Sequence, residues 1–289
     1  MKLGSFRIAG RDTYGAISGD AVIDLGARLG PRYATLRKLL AEPDGLAIAR
    51  EHVQAGRVDA SLAEVAYLPV VPDAEKIFCI GVNYADHLEE TRIARAAHPT
   101  VFLRYAASQV GHDQAMLMPR ESAQLDYECE VAVVIGKAGR RIAVAEAWSH
   151  VAGYACYNDG SVRDWQMHTS QWGPGKNFLA TGGFGPWMTT ADELDPRREP
   201  LQLTTRLNGE VMQHSDTSLM IFGIGELIAY CSTMLPLAPG DVIVTGTPGG
   251  VGMARKPPRY LAVGDTVEVE VSGVGILRNR VQADQAFPV

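Results

Sequence analysis

The chain has few cysteines, no excess of basic charge and no long apolar run, and each absence removes a class of function. Only four of its 289 residues are cysteine. Cys79, Cys129, Cys156 and Cys231 are scattered through apolar runs without a CxxC pair or zinc-finger spacing, which suits reduced core residues rather than a disulfide framework, a zinc site or a nucleophile. Acidic residues outnumber basic ones by 33 to 27, for a formal net charge of −6, so no basic surface invites nucleic acid or an anionic membrane. No segment approaches the ~20 consecutive apolar residues of a membrane span, and Lys2-Leu3-Gly4-Ser5-Phe6-Arg7 does not open a signal-peptide core. A cytoplasmic protein is the expectation. Nucleotide-binding and serine-nucleophile signatures are also missing: no glycine-rich loop ends in Gly-Lys-Ser/Thr, no GxGxxG joins a strand to a helix, and no serine stands in a GxSxG elbow.

What is present is mostly strand. Short strand patterns at Ser5–Ile8, Tyr14–Ile17 and Ala21–Leu25 are followed by helical patterns at Thr35–Leu40 and Gly45–Ala55. The proline-bounded stretch Leu68-Pro69-Val70-Val71-Pro72-Asp73 then marks a boundary near residue 70. Beyond it, strands are expected at 100–104, 128–135, 151–157, 201–207, 241–245 and 266–271. Helices are expected at Tyr84–Ala97 and at Met220–Met234, and residues 84–98, a polar helix with the core-poor run Ile93–Ala97, are expected to form a mobile lid over bound substrate. The absence of regular strand–helix alternation disfavours a doubly wound nucleotide fold.

The acidic residues are patterned. In Leu125-Asp126-Tyr127-Glu128-Cys129-Glu130 a strand's period of two puts Asp126, Glu128 and Glu130 on one face, and the following Val131–Ile135 run argues for burial on both faces. Like charges about 6 Å apart cost roughly 3 kcal/mol per pair at an effective dielectric near 20, so a buried row needs a cation or shifted pKa values. Asp159 ends the next apolar strand, where it can join Glu128 and Glu130 around an ion or cap a helix beginning at Gly160. Ligands of oxygen alone suit Mg²⁺, Mn²⁺ or Ca²⁺. His87 and Glu90 at i and i+3 have the spacing of a base and the carboxylate that orients it. Lys176 sits among Gly, Pro and aromatic residues, Arg163 and Asp164 are adjacent and suited to a local ion pair, and Thr245–Gly252 is a glycine-rich turn whose N–H groups can cradle an anion.

In this order, five segments resemble the fumarylacetoacetate hydrolase family: Gly81-Val82-Asn83-Tyr84-Ala85-Asp86-His87, Asp126-Tyr127-Glu128-Cys129-Glu130, Asn158-Asp159-Gly160-Ser161-Val162-Arg163-Asp164, Gly175-Lys176-Asn177-Phe178 with Gly185-Pro186-Trp187, and Thr245-Gly246-Thr247-Pro248. The resemblance spans about residues 70 to 280. It implies an α+β, strand-rich fold, a mixed β-sandwich roll (71–289) preceded by a small N-terminal domain (1–70), assembled as a homodimer. It also implies Mg²⁺ or Mn²⁺ held by Glu128, Glu130 and Asp159, with Asp126 behind them. The implied reaction is hydrolysis of a carbon–carbon bond in an acylpyruvate or related β-diketo acid, releasing pyruvate or a similar 2-oxo acid. In it His87, oriented by Glu90, activates water, Lys176 and Gln166 meet oxyanion charge, and Thr247 with its turn holds the substrate carboxylate or the metal's waters. Arg104 stands where many relatives carry Lys, and is expected to bind a second acidic group of the substrate. Trp165–Trp172 has the look of a subgroup feature of unassigned purpose.

Two other functions fit the same residues. An isomerase or decarboxylase of a 2-oxo or 2-hydroxymuconate-type diacid would use the same metal site without water attack. A non-catalytic Ca²⁺-stabilised binding protein would need the carboxylates but neither the His87–Glu90 pair nor Lys176.

Overall fold

A computed structural model of the chain describes residues 1–91 and 95–285. Two mixed sheets carry the fold. The larger one orders its strands Ala60–Ser61, Ala21–Asp24, Arg11–Ser18, Lys2–Ile8, Gly182–Thr190, Val151–Asp159, Cys129–Ile135, Val242–Val244, Ile77–Gly81 and Thr100–Arg104, and two further short strands pair beside it. The smaller one orders Glu210–Asp216, Gln202–Leu207, Thr266–Val271, Gly275–Ala283 and Ala115–Met118. The expected strands and the two early helices are present, the latter as Leu36–Leu40 and Gly45–Gln54.

The strand Cys129–Ile135 is buried along its whole length, as its apolar run requires. Alternation divides its side chains. Cys129, Val131, Val133 and Ile135 pack with Leu203, Val269 and Val271 of the smaller sheet and with Leu227 and Ile228 of the helix Ile224–Met234. Ala132 and Val134 pack on the opposite side with Leu36, Leu39 and Ala49 of the early helices. The N-terminal strands extend this same sheet, because Lys2–Ile8 pairs antiparallel with Gly182–Thr190, and Leu3, Tyr14 and Ile23 share one core with Ala132 and Val134.

Two helices are shorter than their sequence patterns. The second starts at Ile224 rather than Met220, with Glu226 accepting from the Gly223 N–H to close its first turn. The other is Ala85–Thr91, and residues 92–94 of the expected Tyr84–Ala97 span, including part of the lid, lie outside the described residues.

The site follows from strand pairing. Cys129–Ile135 and Val151–Asp159 are antiparallel with Cys129 opposite Asn158, so the start of one strand lies beside the end of the other, and the Asp159 N–H donates to the Glu128 carbonyl at 2.9 Å. On the other side Val242–Val244 ends beside the same point, where the Thr245 N–H donates to the Val131 carbonyl at 3.1 Å. Ile77–Gly81 runs parallel to Val242–Val244 and delivers Val82 and Asn83 to that rim.

Candidate active site

Glu128, Glu130 and Asp159 converge at this rim, with one oxygen from each inside a 4.8 Å span, and all three are buried. Three cationic side chains, Lys176, Arg163 and Arg104, surround them. Lys176 Nζ lies 2.7 Å from Glu128 Oε2, Asp159 Oδ2 and Ser161 Oγ, which uses all three of its donors. Arg163 bonds Glu128 Oε1 at 2.7 Å and Asp126 Oδ2 at 2.9 Å. Arg104 bonds Asp159 Oδ1 at 2.5 Å, the Gly160 carbonyl and Thr181.

The charges do not balance. Four buried carboxylates, Asp126, Glu128, Glu130 and Asp159, meet three buried cations, Arg104, Arg163 and Lys176. Among the described residues Glu130 is the carboxylate that no cation pairs. Its partner is the Gly246 N–H. Burial pushes the Glu130 carboxyl well above its ordinary value, and the charges of Asp159 and Glu128 push the same way. For Glu128, burial also raises, but the positive charges of Lys176 and Arg163 outweigh it and hold the carboxyl well below the usual range. Burial would strip Lys176 of its proton, yet Asp159 and Glu128 overcome that and keep the ammonium charged. A cluster one positive charge short, with oxygen donors alone at its centre, has the make-up of a site for a hard divalent cation.

Opposite the carboxylates lies His87, on the helix Ala85–Thr91. Nδ1 of His87 is 2.7 Å from Glu90 Oε1, and Glu90 Oε2 accepts from the Gly250 N–H at 2.9 Å. With a carboxylate on Nδ1, that nitrogen carries the proton and Nε2 is left for a ligand. Buried Asn83 fixes where the helix begins: its amide donates to the Thr245 and Phe222 carbonyls at 2.8 and 3.0 Å and accepts from the Phe222 N–H at 2.8 Å.

A cavity of about 300 Å³ joins the two halves, with His87, Glu90, Glu128, Glu130, Arg163, Gln166, Lys176 and Thr247 on its wall and Ile80, Val82, Phe102, Trp172, Met253 and Ala254 as its apolar lining. Two neutral donors point to a ligand. Thr247 Oγ1 accepts from Gln213 at 2.9 Å, which leaves its own proton to give, and Gln166 Oε1 accepts from Arg163 at 2.9 Å, which leaves its amide NH₂ free. Arg163 Nη2 is buried without a partner among the described residues.

Eight of the nine expected site residues are therefore brought to one place, Asp159 lying beneath the cavity and the others lining it. Arg104 is set apart. Its side chain is 0 % exposed and its two terminal nitrogens serve Asp159, Gly160 and Thr181, so it neutralises a carboxylate from behind instead of reaching into the cavity. Arg163 and Asp164 do not pair with each other, Arg163 turning inward to Asp126 and Glu128 while Asp164 accepts from Ser122 at 2.7 Å. Asp159 belongs to the strand Val151–Asp159 and caps no helix. The glycine-rich turn does cradle anions, but they are the chain's own. Gly246 N–H serves Glu130, Gly250 serves Glu90, and Gly252 and Met253 both serve Asp126. Gly246 holds φ +98° to do so, a conformation glycine adopts without strain.

Residues 76–282 match the family model described as fumarylacetoacetate (FAA) hydrolase C-terminal. Among curated proteins the chain is 39 % identical over 268 residues to the mitochondrial oxaloacetate tautomerase FAHD2A of Bos taurus, covering 91 % of this chain and 85 % of that one. Among solved structures it is similar to a putative HpcE protein from Mycobacterium smegmatis, with a TM-score of 0.85, 34 % identity and coverage of 99 % and 100 % of the two chains. It is also similar to maleylpyruvate hydrolase from Sphingobium sp. SYK-6, determined in complex with manganese(II) and pyruvate, with a TM-score of 0.82, 28 % identity and the same coverage. The segments that build the rim, the buried acidic cluster and the His87 helix all fall inside the matched region, and the chain belongs to the fumarylacetoacetate hydrolase family.

Proposed function

We propose that the chain is a divalent-metal-dependent enzyme that interconverts the keto and enol forms of a short 2-oxo diacid of the oxaloacetate type. The observation that carries the reading is that one small cavity holds both an under-neutralised carboxylate cluster and a histidine whose Nε2 is left free by a carboxylate on Nδ1. The name of the bovine relative points to the same chemistry. Mg²⁺ or Mn²⁺ bound by Glu128, Glu130 and Asp159 would supply positive charge beside the 2-oxo acid's oxygens and so stabilise an enolate.

His87 Nε2 takes a proton from C3 of the keto form and returns one to the C2 oxygen, so that the diacid changes tautomer with no atom gained or lost. Glu90 holds the ring in place and stabilises the imidazolium formed in between. Arg163 Nη2 and the Gln166 amide bind the substrate's carboxylate and carbonyl oxygens, and Thr247 donates a further hydrogen bond. The apolar lining keeps water from competing for the proton.

A second reading is hydrolysis of an acylpyruvate at its carbon–carbon bond, as the sequence resemblance implies. The His87–Glu90 pair favours it, because an oriented imidazole activates water as readily as it moves a carbon-bound proton. The two separate experimentally. Manganese-loaded protein mixed with enol-oxaloacetate should speed its conversion to the keto form, followed by ultraviolet absorbance, without releasing pyruvate from acetylpyruvate. Pyruvate release with no acceleration of tautomerisation would replace the first reading with the second.

A further inference from the structure

Phe102 and Trp172 are the residues common to two hollows: the inner cavity of about 300 Å³ and an outer groove of about 750 Å³ that runs past Leu103, Tyr105, Gln171 and Asn177. Their rings meet edge to face, with centroids 5.8 Å apart. Both are anchored. The Lys176 ammonium lies 4.9 Å from the Phe102 ring centroid. Trp172 packs against Gly81, where a Cβ would come within 2.1 Å of its ring, so the glycine is what lets the indole reach the cavity mouth. The segment that carries Trp172 is otherwise turned outward, Met167 through Gln171 all being exposed.

We propose that the Phe102–Trp172 pair is the partition that sets how long a substrate the site takes. Resting on the 2-oxo acid reading above, this narrows the substrate class to short 2-oxo acids whose chain beyond the reacting carbons ends inside the inner cavity. A longer acyl chain has room only in the outer groove, and the indole stands across its path. Removing the ring joins the two spaces and gives an alkyl tail an apolar floor on Phe102 and Leu103.

The test is calorimetric binding of 2-oxobutanoate and 2-oxooctanoate to manganese-loaded wild type, Trp172→Ala and Trp172→Leu. Wild type should bind the short acid at least tenfold more tightly. Trp172→Ala should bind the long acid at least tenfold more tightly than wild type does, raising the ratio of long-acid to short-acid affinity at least tenfold, and Trp172→Leu should show the same direction if the alanine variant lacks a cooperative thermal transition. An unchanged preference in a variant that still binds the short acid overturns the partition alone. Binding of neither acid by wild type or variant overturns the function reading and the partition together. Steady-state kcat/KM on acetylpyruvate and hexanoylpyruvate should follow the same ratio if the hydrolytic reading holds.

Discussion

Glu130 takes the N–H of Gly246, 116 residues away in sequence, as its hydrogen-bond partner, while the neighbouring Glu128 is held between Lys176 and Arg163. Two carboxylates one strand-pleat apart thus sit in opposite electrostatic surroundings. Glu130 is the group whose charge a bound cation would complete. Glu130→Gln should weaken Mn²⁺ binding at least 100-fold, because one of three oxygen ligands is replaced by a neutral amide. Undiminished affinity by calorimetry would remove Glu130 from the ligand set.

The same contrast sets a pH dependence. Folding raises the Glu130 carboxyl above its ordinary value of 4.5, so above that pH the unfolded chain has lost a proton that the folded protein keeps. The folded state binds more protons, and stability falls as pH rises from about 4.5 toward the folded value. Glu128, held low, contributes stability that is lost only when pH drops below the ordinary carboxylate range. Urea unfolding from pH 5 to 7 should show a downward slope in metal-free wild type that is shallower in Glu130→Gln and in wild type saturated with Mn²⁺. Equal slopes in all three would show that Glu130 is ionised without metal.

Lys176 holds two carboxylates at once. Lys176→Met should destabilise the metal-free protein by roughly 3–5 kcal/mol, the usual result of leaving buried charge unpaired, and added Mn²⁺ should restore part of the loss. Thermal melting with and without the ion reads both effects. A variant as stable as wild type would mean that the two carboxylates share a proton once the ammonium is gone.

His87→Ala should lower kcat by about 10² to 10⁴, the range for removal of a general base, and leave Mn²⁺ affinity within a few-fold of wild type. Glu90→Gln should act in the same direction by a smaller factor, because it keeps the ring but weakens its orientation. Survival of activity within tenfold in His87→Ala would assign the proton transfer elsewhere.

Much of the site was readable before the fold because its logic is local. The apolar run behind Glu130 dictates the strand Cys129–Ile135, buried on both faces, and the spacing of His87 and Glu90 is one helical turn, but the expected single strand through Asp126 is broken, because Leu125–Asp126 pairs separately with Ser161–Val162. What escaped was set by distant partners. Gly182–Thr190, which is absent from the expected strands, is a strand between Lys2–Ile8 and Val151–Asp159. Small residues are needed there because a Cβ on Gly183 would come within 2.9 Å of Asn279. The pairing of the first strand with a segment some 180 residues later leaves no local trace. Arg104 and Arg163 look alike in sequence, and only the fold decides that one lies behind Asp159 while the other lines the cavity.

The turn at Gly246–Met253 hands its amides to Glu130, Glu90 and Asp126, that is, to a candidate cation ligand, to the histidine's orienting group and to the carboxylate that steadies Arg163. Perturbations at these three carboxylates therefore pass through one short piece of backbone, and substitutions there will be epistatic. Paired changes at Glu90 and Asp126 should depart from the sum of the single effects by more than the few tenths of a kcal/mol expected of independent sites.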